Sequence, residues 1–287
     1  MAPENPVKQI TTAIDYIESH LHEKLDLKTV AGAVHYSNYH LHRMFLYTTN
    51  ITPHEYVRRR RLTEAARLLT DSDRSILEIA LLCGYESRQS FTDAFKHMYK
   101  KSPNQYREKE IFYPLLLRYT LNENATDTED ENDWRQKITF AENNDISEWM
   151  KLVGLVIDGF PHLDEKQYEK RLRESIRNRR ALILKDKNTA VGAMAFDETT
   201  GNIDFLGIHP QYRKKGIAKA FCEKALYELA HSAAVTVTSF REGDKADTGH
   251  RQGFKRLGFA EAELLVEFGY PTQRLILQKE KDGGCPA

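Results

Sequence analysis

A segment of the chain occurs twice within its first hundred residues, and this repetition limits the possible folds more than any other feature. LKTVAGAVHYSNYHLHRMF (27–45) returns as ILEIALLCGYESRQSFTDAF (76–95). Ala31 corresponds to Ala80, Tyr36 to Tyr85, Leu41 to Phe91 and Phe45 to Phe95, with one residue inserted after the second tyrosine. Each copy reads as a short apolar helix with a small alanine where it crosses its neighbour, a tight turn, and a second helix with apolar residues at i and i+4. Ser37 and Ser87 stand where N-caps of the second helices are predicted. This is helix-turn-helix spacing. The exposed candidates are Asn38, His40, His42 and Arg43 in the first unit and Arg88, Gln89, Thr92 and Asp93 in the second. Asn, Gln and Arg can contact base edges in pairs of hydrogen bonds, and Lys96, Lys100 and Lys101 can neutralise phosphates. Arg58, Arg59, Arg60 and Arg61 occupy one turn of a helix, so they fan around it, and one or two of them, with Arg58 and Arg61 as candidates, are expected at phosphate. Helical repeats with polar outer faces also pack together for other reasons, and that reading stays open.

The 287 residues leave room for two modest domains. Residues 1–110 show helical periodicity, as in Ile10, Ile14 and Ile17 or Leu62, Ala65, Ala66 and Leu69. After Trp134 short β-rich runs such as RALILK, AVGAMAF, NIDFLGIH and AAVTVTSF alternate with helical stretches such as GIAKAFCEKALYELA. Between the two lies a connecting segment, 111–136. Its acidic run ENATDTEDEND (123–133) has six acids and no base and reads as a linker. IFYPLLLRYTL (111–121) is apolar enough to demand burial, either as a helix or strand docking one half on the other or as a core element of one domain. Cys83, Cys222 and Cys285 have no metal spacing or pairing scheme, which fits a reducing compartment, and no run is long enough to span a bilayer, so a cytoplasmic protein without membrane contact is expected. Net charge is zero overall, and residues 1–110 carry 16 Lys+Arg against 14 Asp+Glu, a surplus of two, so any nucleic-acid footprint is local.

Residues 7–107, above all RRRRLTEAARLLTDSDRSILEIALLCGYESRQSFTDAFKHMYKKSPNQYR, resemble the DNA-binding domain of AraC/XylS-type transcription regulators. Arg61-Leu62, Ala65, Leu68-Leu69, Ile79-Ala80, Gly84-Tyr85, Phe91, Phe95-Lys96 and Ser102-Pro103 carry the resemblance. It implies seven helices in two helix-turn-helix subdomains joined by a long helix, with recognition helices matching 37–46 and 87–96, set about 34 Å apart along one face of double-stranded DNA. The glycine common before Ser-Pro in each half is replaced by Asn50 and Lys101, and Lys101 would be strained if the left-handed turn is kept there.

In the second half, NIDFLGIHPQYRKKGIAKAFCEKALYELA (202–230) is a strand, then Arg213-Lys214-Lys215-Gly216-Ile217-Ala218, then a long helix. Gly216 and Ala218 allow close backbone approach, and a helix N-terminus flanked by three cations suits a pyrophosphate, although an ordinary strand-to-helix turn is the competing reading. Neither a Walker loop nor a dinucleotide fingerprint is present. Residues 137–280 resemble a GCN5-related N-acetyltransferase (GNAT) domain, with Arg213-x-x-Gly216-x-Ala218 matching its acyl-CoA pyrophosphate motif and Phe254 to Phe259 its later helix-to-strand segment. The expected fold is therefore multidomain: an all-α double helix-turn-helix domain (1–110), then an α/β GNAT-like domain with a mixed, mostly antiparallel sheet (137–280). The resemblance puts acetyl-CoA or another acyl-CoA against Phe205, Leu206, Gly207 and Ile208 and against Arg213, Lys214, Lys215, Gly216, Ile217 and Ala218, with main-chain amides toward the acyl carbonyl.

Many GNAT members carry a tyrosine acid where this chain has Phe254, so no catalytic residue is assigned. Asp204, Glu198, His209 and Glu267 are candidate bases that depend on the fold. His250 with Asp247, and the His20, His22, His35, His40 and His42 group, lack a convincing ligand set, so no metal is expected. Trp134 and Trp149 read as packing anchors. The expected partners are double-stranded DNA, an acyl-CoA, a small-molecule amine and, as an open option, a second copy of the chain. The expected function is a sequence-specific transcription regulator with an acyl-CoA- or amine-binding GNAT-like domain. A regulator that is also an active N-acetyltransferase, and one whose second domain only binds proteins, are the alternatives.

Overall fold

The computed structural model describes residues 6–109, 112–123, 131–156, 165–229, 234–267 and 269–278. The chain divides into two compact units. The first comprises 1–128 with 151–164 and 209–213, and the second 129–150, 165–208 and 214–287.

The first unit is built on helices α1 (Pro6–Ser19), α2 (Leu27–Ala33), α3 (Asn38–Thr49), α4 (Pro53–Asp71), α5 (Ile76–Leu82), α6 (Arg88–Tyr99) and α7 (Pro103–Lys109). Side-chain caps start most of them: Asp26 accepts from Thr29 N, Ser37 from His40 N, Thr52 from Glu55 N and Ser87 from Ser90 N, while Ser75 and Glu78 form a capping box. Such an acceptor satisfies an amide that the first turn leaves without an intrahelical partner. Those same amides hold the Asp26 carboxyl below its ordinary value.

The two repeats share one turn. Tyr36 N donates to Ala31 O and His35 N to Gly32 O, and Tyr85 N donates to Ala80 O and Gly84 N to Leu81 O. Each pair is a Schellman motif, which needs a left-handed residue just past the helix; His35 (φ 59°) and Gly84 (φ 72°) supply it. Gly84 is doubly constrained, since a Cβ there would lie 2.7 Å from the Arg61 guanidinium carbon. Ile10, Ile14, Ile17, Ala31, Leu41, Phe45 and Tyr56 form the core of the first subdomain. In the second, Phe91, Phe95, Tyr99, Tyr106 and Tyr113 make a chain of ring contacts.

The arginine run of α4 turns inward more than expected. Arg60 donates through Nε and Nη2 to the two carboxylate oxygens of Glu18 at 2.8 and 2.9 Å, through Nη2 to Glu64 at 2.9 Å and through Nη1 to Leu116 O at 3.1 Å. Burial works against its charge, but Glu18 and Glu64 outweigh that and raise its pKa. Arg59 is buried on Glu55. The apolar segment that was expected as a helix or strand is neither: residues 112–122 run without helix or sheet pairing in the core of the first unit. Thr63 replaces the missing ladder, its hydroxyl accepting from Leu115 N and Leu116 N and donating to Leu116 O. The acidic run ends in a helix rather than a linker, since α8 covers Glu131–Lys137; its residues 124–130 lie outside those described.

In the second unit a seven-stranded sheet has the order β1-β2-β3-β4-β5-β7-β6, with β1 Thr139–Phe140, β2 Ala181–Asp186, β3 Thr189–Asp197, β4 Asn202–Ile208, β5 Ala234–Phe240, β6 Ala260–Glu267 and β7 Tyr270–Gln278. All neighbours are antiparallel except β4 and β5. Ala181 to Leu184 are wholly buried, the run of apolar residues that a strand covered on both faces requires. Helices α9 (Ile146–Val156), α10 (Glu165–Arg177), α11 (Ile217–Glu228) and α12 (His250–Arg256) complete the α/β fold, α9 running from the second unit into the first. A Cβ on Gly192 of β3 would lie 2.5 Å from the Phe221 ring of α11, so this glycine lets the helix sit against the sheet.

The left-handed residue ending the second recognition helix is Lys100 (φ 60°), not Lys101, because α3 and α6 both run 12 residues and close on Asn50 and Lys100. Lys100→Gly should therefore raise stability by about 1 kcal/mol in urea denaturation, and Lys101→Gly should not.

Candidate functional site

Two groups of residues carry chemistry, one in each unit. In the first, α3 and α6 present their N-terminal faces to solvent. Asn38, His40 and Arg43 are exposed and His42 is half-buried. His40 lies against the Tyr36 ring at 5.2 Å. An aromatic that the sequence reading passed over, Tyr39, is 71% exposed. The Arg43 guanidinium lies 5.4 Å from its ring centre and donates to its hydroxyl at 3.4 Å. A large exposed ring in an otherwise polar helix face was the available signal. On α6, Arg88, Gln89 and Lys96 are exposed and Thr92 is half-buried. Helical spacing puts Arg88, Thr92 and Lys96 in one row, and Gln89 with Asp93 in the next. Gln89 donates to both Asp93 oxygens at 3.2 and 3.0 Å, which fixes its amide nitrogen toward that carboxylate.

The two α4 arginines expected at phosphate differ from that expectation. Arg61 donates to the carbonyls of Leu21, Gly84 and Glu23, so its guanidinium braces the loop after α1 against the second turn. Its role is structural because three backbone acceptors converge on it. Arg58 is partly exposed and paired with Glu55 at 2.7 Å.

In the second unit, β4 and β5 pair only at Asn202–Thr236 and Ile203–Val237. Beyond that point β4 keeps β3 on one side, and the other side, along Phe205, Leu206, Gly207 and Ile208, has no paired strand. The register with β3 also slips there: Phe196 faces Ile203 and Ala195 faces Phe205, which leaves Asp204 as the extra residue of a bulge. After β4, Pro210–Tyr212 form a 3-10 turn, then Arg213 is extended, Lys214 is left-handed (φ 64°) and Gly216 is left-handed (φ 76°) as the N-cap of α11. Gly216 has no side chain to cap α11, so the first-turn amides, from Ile217 and Ala218 onward, face the Arg213–Lys215 cations without a capping acceptor. An uncapped 12-residue helix behind three cations suits an anionic group, and an open strand edge beside it suits an extended chain that hydrogen-bonds to backbone. The residues present thus fit an acyl-CoA.

The candidate bases occupy different surroundings. Asp204 is exposed, accepts from Asn202 Nδ2 at 2.7 Å, and its pKa is raised first by desolvation. Glu198 lies in the exposed turn after β3, and Glu267 accepts from Thr238 Oγ1 at 3.3 Å. His209 is buried and belongs to the first unit. Its Nδ1 accepts from Gln211 N at 3.3 Å, and burial lowers its pKa from 6.5 to about 4, against the opposing effect of the Thr120 carbonyl. Phe254 packs edge-on against Phe259 and offers no proton. Trp149 is buried, and its Nε1 donates to the Tyr168 hydroxyl at 3.0 Å. Tyr168 was missed in the sequence because only the packing of α10 brings it to β4. Among the described residues no three His, Cys, Asp or Glu side chains gather as a metal set, and no helix is long and apolar enough to cross a membrane.

Residues 30–109 match the family described as Helix-turn-helix domain, and residues 157–268 match Acetyltransferase (GNAT) domain. The chain is 38% identical over 100 residues to the regulatory protein SoxS of Salmonella typhimurium, covering 35% of this chain and 94% of that protein. It is also 38% identical over 100 residues to the uncharacterized HTH-type transcriptional regulator YbfP of Bacillus subtilis, of which it spans only 34%. A solved GNAT-family acetyltransferase from Bacillus cereus is 16% identical, with a TM-score of 0.38, over 50% of this chain and 96% of that one.

The His209 environment has a pH signature. With a folded pKa of about 4 against 6.5, the unfolded chain takes the proton first, so its contribution is complete above pH 6.5 and is lost as pH falls toward 4. The urea midpoint should drop over that interval, and His209→Gln should lessen the drop; an unchanged pH dependence in the variant would contradict the assignment.

Proposed function

Starting from a chain that belongs to the AraC/XylS-type regulators and carries, fused to their helix-turn-helix DNA-binding domain, a GNAT-like acetyltransferase domain, we propose a transcription regulator that reads a specific DNA sequence and binds an acyl-CoA. For the first domain the support is the repeated turn. Schellman closures at His35 and Gly84 present α3 and α6 in the same way, and each carries exposed groups able to contact base edges. Asn38, Tyr39, His42 and Arg43 read one groove segment, and Arg88, Gln89 and Thr92 the next. Lys96 contacts phosphate, and Arg58 lies at the flank. Arg61 is not part of this set.

For the second domain the single observation that carries the reading is the coincidence of two features. The open edge of β4 leads directly into the uncapped, cation-flanked start of α11. Phe205 to Ile208 offer backbone groups to the acyl and pantetheine portion. Arg213, Lys214, Lys215 and the amides of Gly216, Ile217 and Ala218 hold the pyrophosphate. A bound acyl-CoA supplies an activated acyl group for transfer to an amine. Active N-acetyl transfer is favoured over a purely binding role by Asp204, a carboxylate placed at the start of the opening.

Gly216→Glu should abolish acetyl-CoA binding in calorimetry, because it adds both a side chain and a negative charge at the α11 N-terminus; retained affinity would refute the cradle. Arg88→Ala and Gln89→Ala should each weaken binding to the specific operator by about 1–3 kcal/mol while leaving nonspecific DNA binding nearly unchanged. Equal losses on both DNAs in a gel-shift titration would remove these residues from base reading.

A further inference from the structure

The bulge in β4 does more than widen the strand gap. In a regular strand Asp204 and Phe205 would point to opposite faces of the sheet. Here both meet α10. Phe205 lies 6.0 Å from the Tyr168 ring and 6.1 Å from the Trp149 ring, and Asp204 interacts electrostatically with Tyr168 and Arg171. A bulge that places two residues opposite one is the device that re-aims a side chain in this way. Asp204 is also the first residue beyond the last β4–β5 pair, Ile203–Val237, so its carboxylate stands where the strand opening begins.

The surroundings are mixed in a way a plain surface acid is not. Trp149 is buried and holds Tyr168 by a hydrogen bond from Nε1 to the phenol oxygen at 3.0 Å. Burial raises the Tyr168 pKa to about 12, so it stays a neutral ring at working pH. The charged and polar groups facing Asp204 are Asn202 of its own strand, Asp197 of β3, Arg180 ahead of β2, and Arg171 and Tyr168 of α10. Desolvation and Asp197 favour its protonated form, while Asn202 and the two arginines oppose them.

We propose that Asp204 is the acceptor-side carboxylate of the acyl-transfer site, and that the acceptor is a primary amine with an aromatic body laid against Tyr168 and Phe205. This rests on the acyl-CoA reading above. The incoming ammonium group pairs with Asp204 and gives it one proton, which passes to water. The amine nitrogen then bonds to the acyl carbon as the carbon–sulfur bond breaks. The second proton shed by nitrogen ends on the departing CoA sulfur, so the products are an amide, CoA thiol and one released proton. An aromatic ring against Tyr168 and Phe205 adds apolar burial that a small hydrophilic amine lacks.

The test uses the full chain, acetyl-CoA and two probe amines, 2-phenylethylamine and ethanolamine. Calorimetry on the acetyl-CoA-saturated protein should show 2-phenylethylamine binding that Asp204→Asn weakens about tenfold or more, the loss of a charge-assisted contact. The acetyl-CoA Kd of the variant should stay unchanged, which also shows that it folds. Tyr168→Ala should raise KM for 2-phenylethylamine about tenfold and leave that for ethanolamine unchanged. A protein that binds acetyl-CoA but shows no preference for 2-phenylethylamine, or an Asp204→Asn variant that binds and acetylates it as well as the parent, overturns the proposal while leaving acyl-CoA binding intact. Failure of the parent protein to bind acetyl-CoA overturns both.

Discussion

The bidentate pair between Arg60 and Glu18 sets what the rest of the helical unit can do. Taking two charges out of water costs several kcal/mol per ion, and the pair is tolerable only because each remaining hydrogen-bonding position is met. Tyr56 donates to Glu18, and Glu64 and Leu116 O accept from Arg60. Helix α1, helix α4 and the unpaired segment 112–122 therefore meet at one guanidinium. The segment has no sheet or helix to satisfy its backbone, so it depends on Arg60 and Thr63 to accept a place in the core. This also changes the meaning of the four-arginine run. Successive side chains on a helix diverge by about 100°. Arg59 and Arg60 are consequently buried, Arg61 braces two loops and Arg58 stays at the rim. The cations left for DNA are those on the reading helices, in keeping with a surplus of only two positive charges over residues 1–110.

The second unit is organised around a different constraint, the departure of β4 from β5. A strand edge that loses its partner inside a sheet leaves backbone donors and acceptors unmatched, and buried backbone groups of that kind require a partner. A ligand with its own amides can provide one. The bulge at Asp204 belongs to the same event, since it shifts the alternation of side chains just where pairing stops. One local irregularity thus opens the edge and brings a carboxylate and a phenyl ring to the α10 face. The uncapped α11 follows within a few residues.

Some of this was legible in the residues. The repeat spacing of Ala31 with Tyr36 and Ala80 with Tyr85 announced the helix-turn-helix, and the structure supplies the reason: in each copy the tyrosine amide bonds to the alanine carbonyl. Ser37 and Ser87 cap as expected. Gly216 in Arg-Lys-Lys-Gly marked the turn before α11. Other features were misplaced by short distances, as with the left-handed residue at Lys100 rather than Lys101, because a C-cap depends on where the helix stops and the sequence has no glycine to mark it. The apolar segment 111–121 announced burial but not its form, since periodicity cannot reveal backbone satisfied by a threonine and an arginine from elsewhere.

By itself, then, the sequence determined the all-α and α/β halves, the duplicated turn and the cation-flanked helix start. Each of these is local, written in side-chain period, caps and glycine within a few residues of one another. Tertiary structure alone decided which arginines are spent inside, where β4 leaves β5, and that Asp204, Phe205, Tyr168 and Trp149 share one neighbourhood. Those outcomes depend on contacts between distant segments and on a one-residue slip in register, and neither leaves a period in the chain.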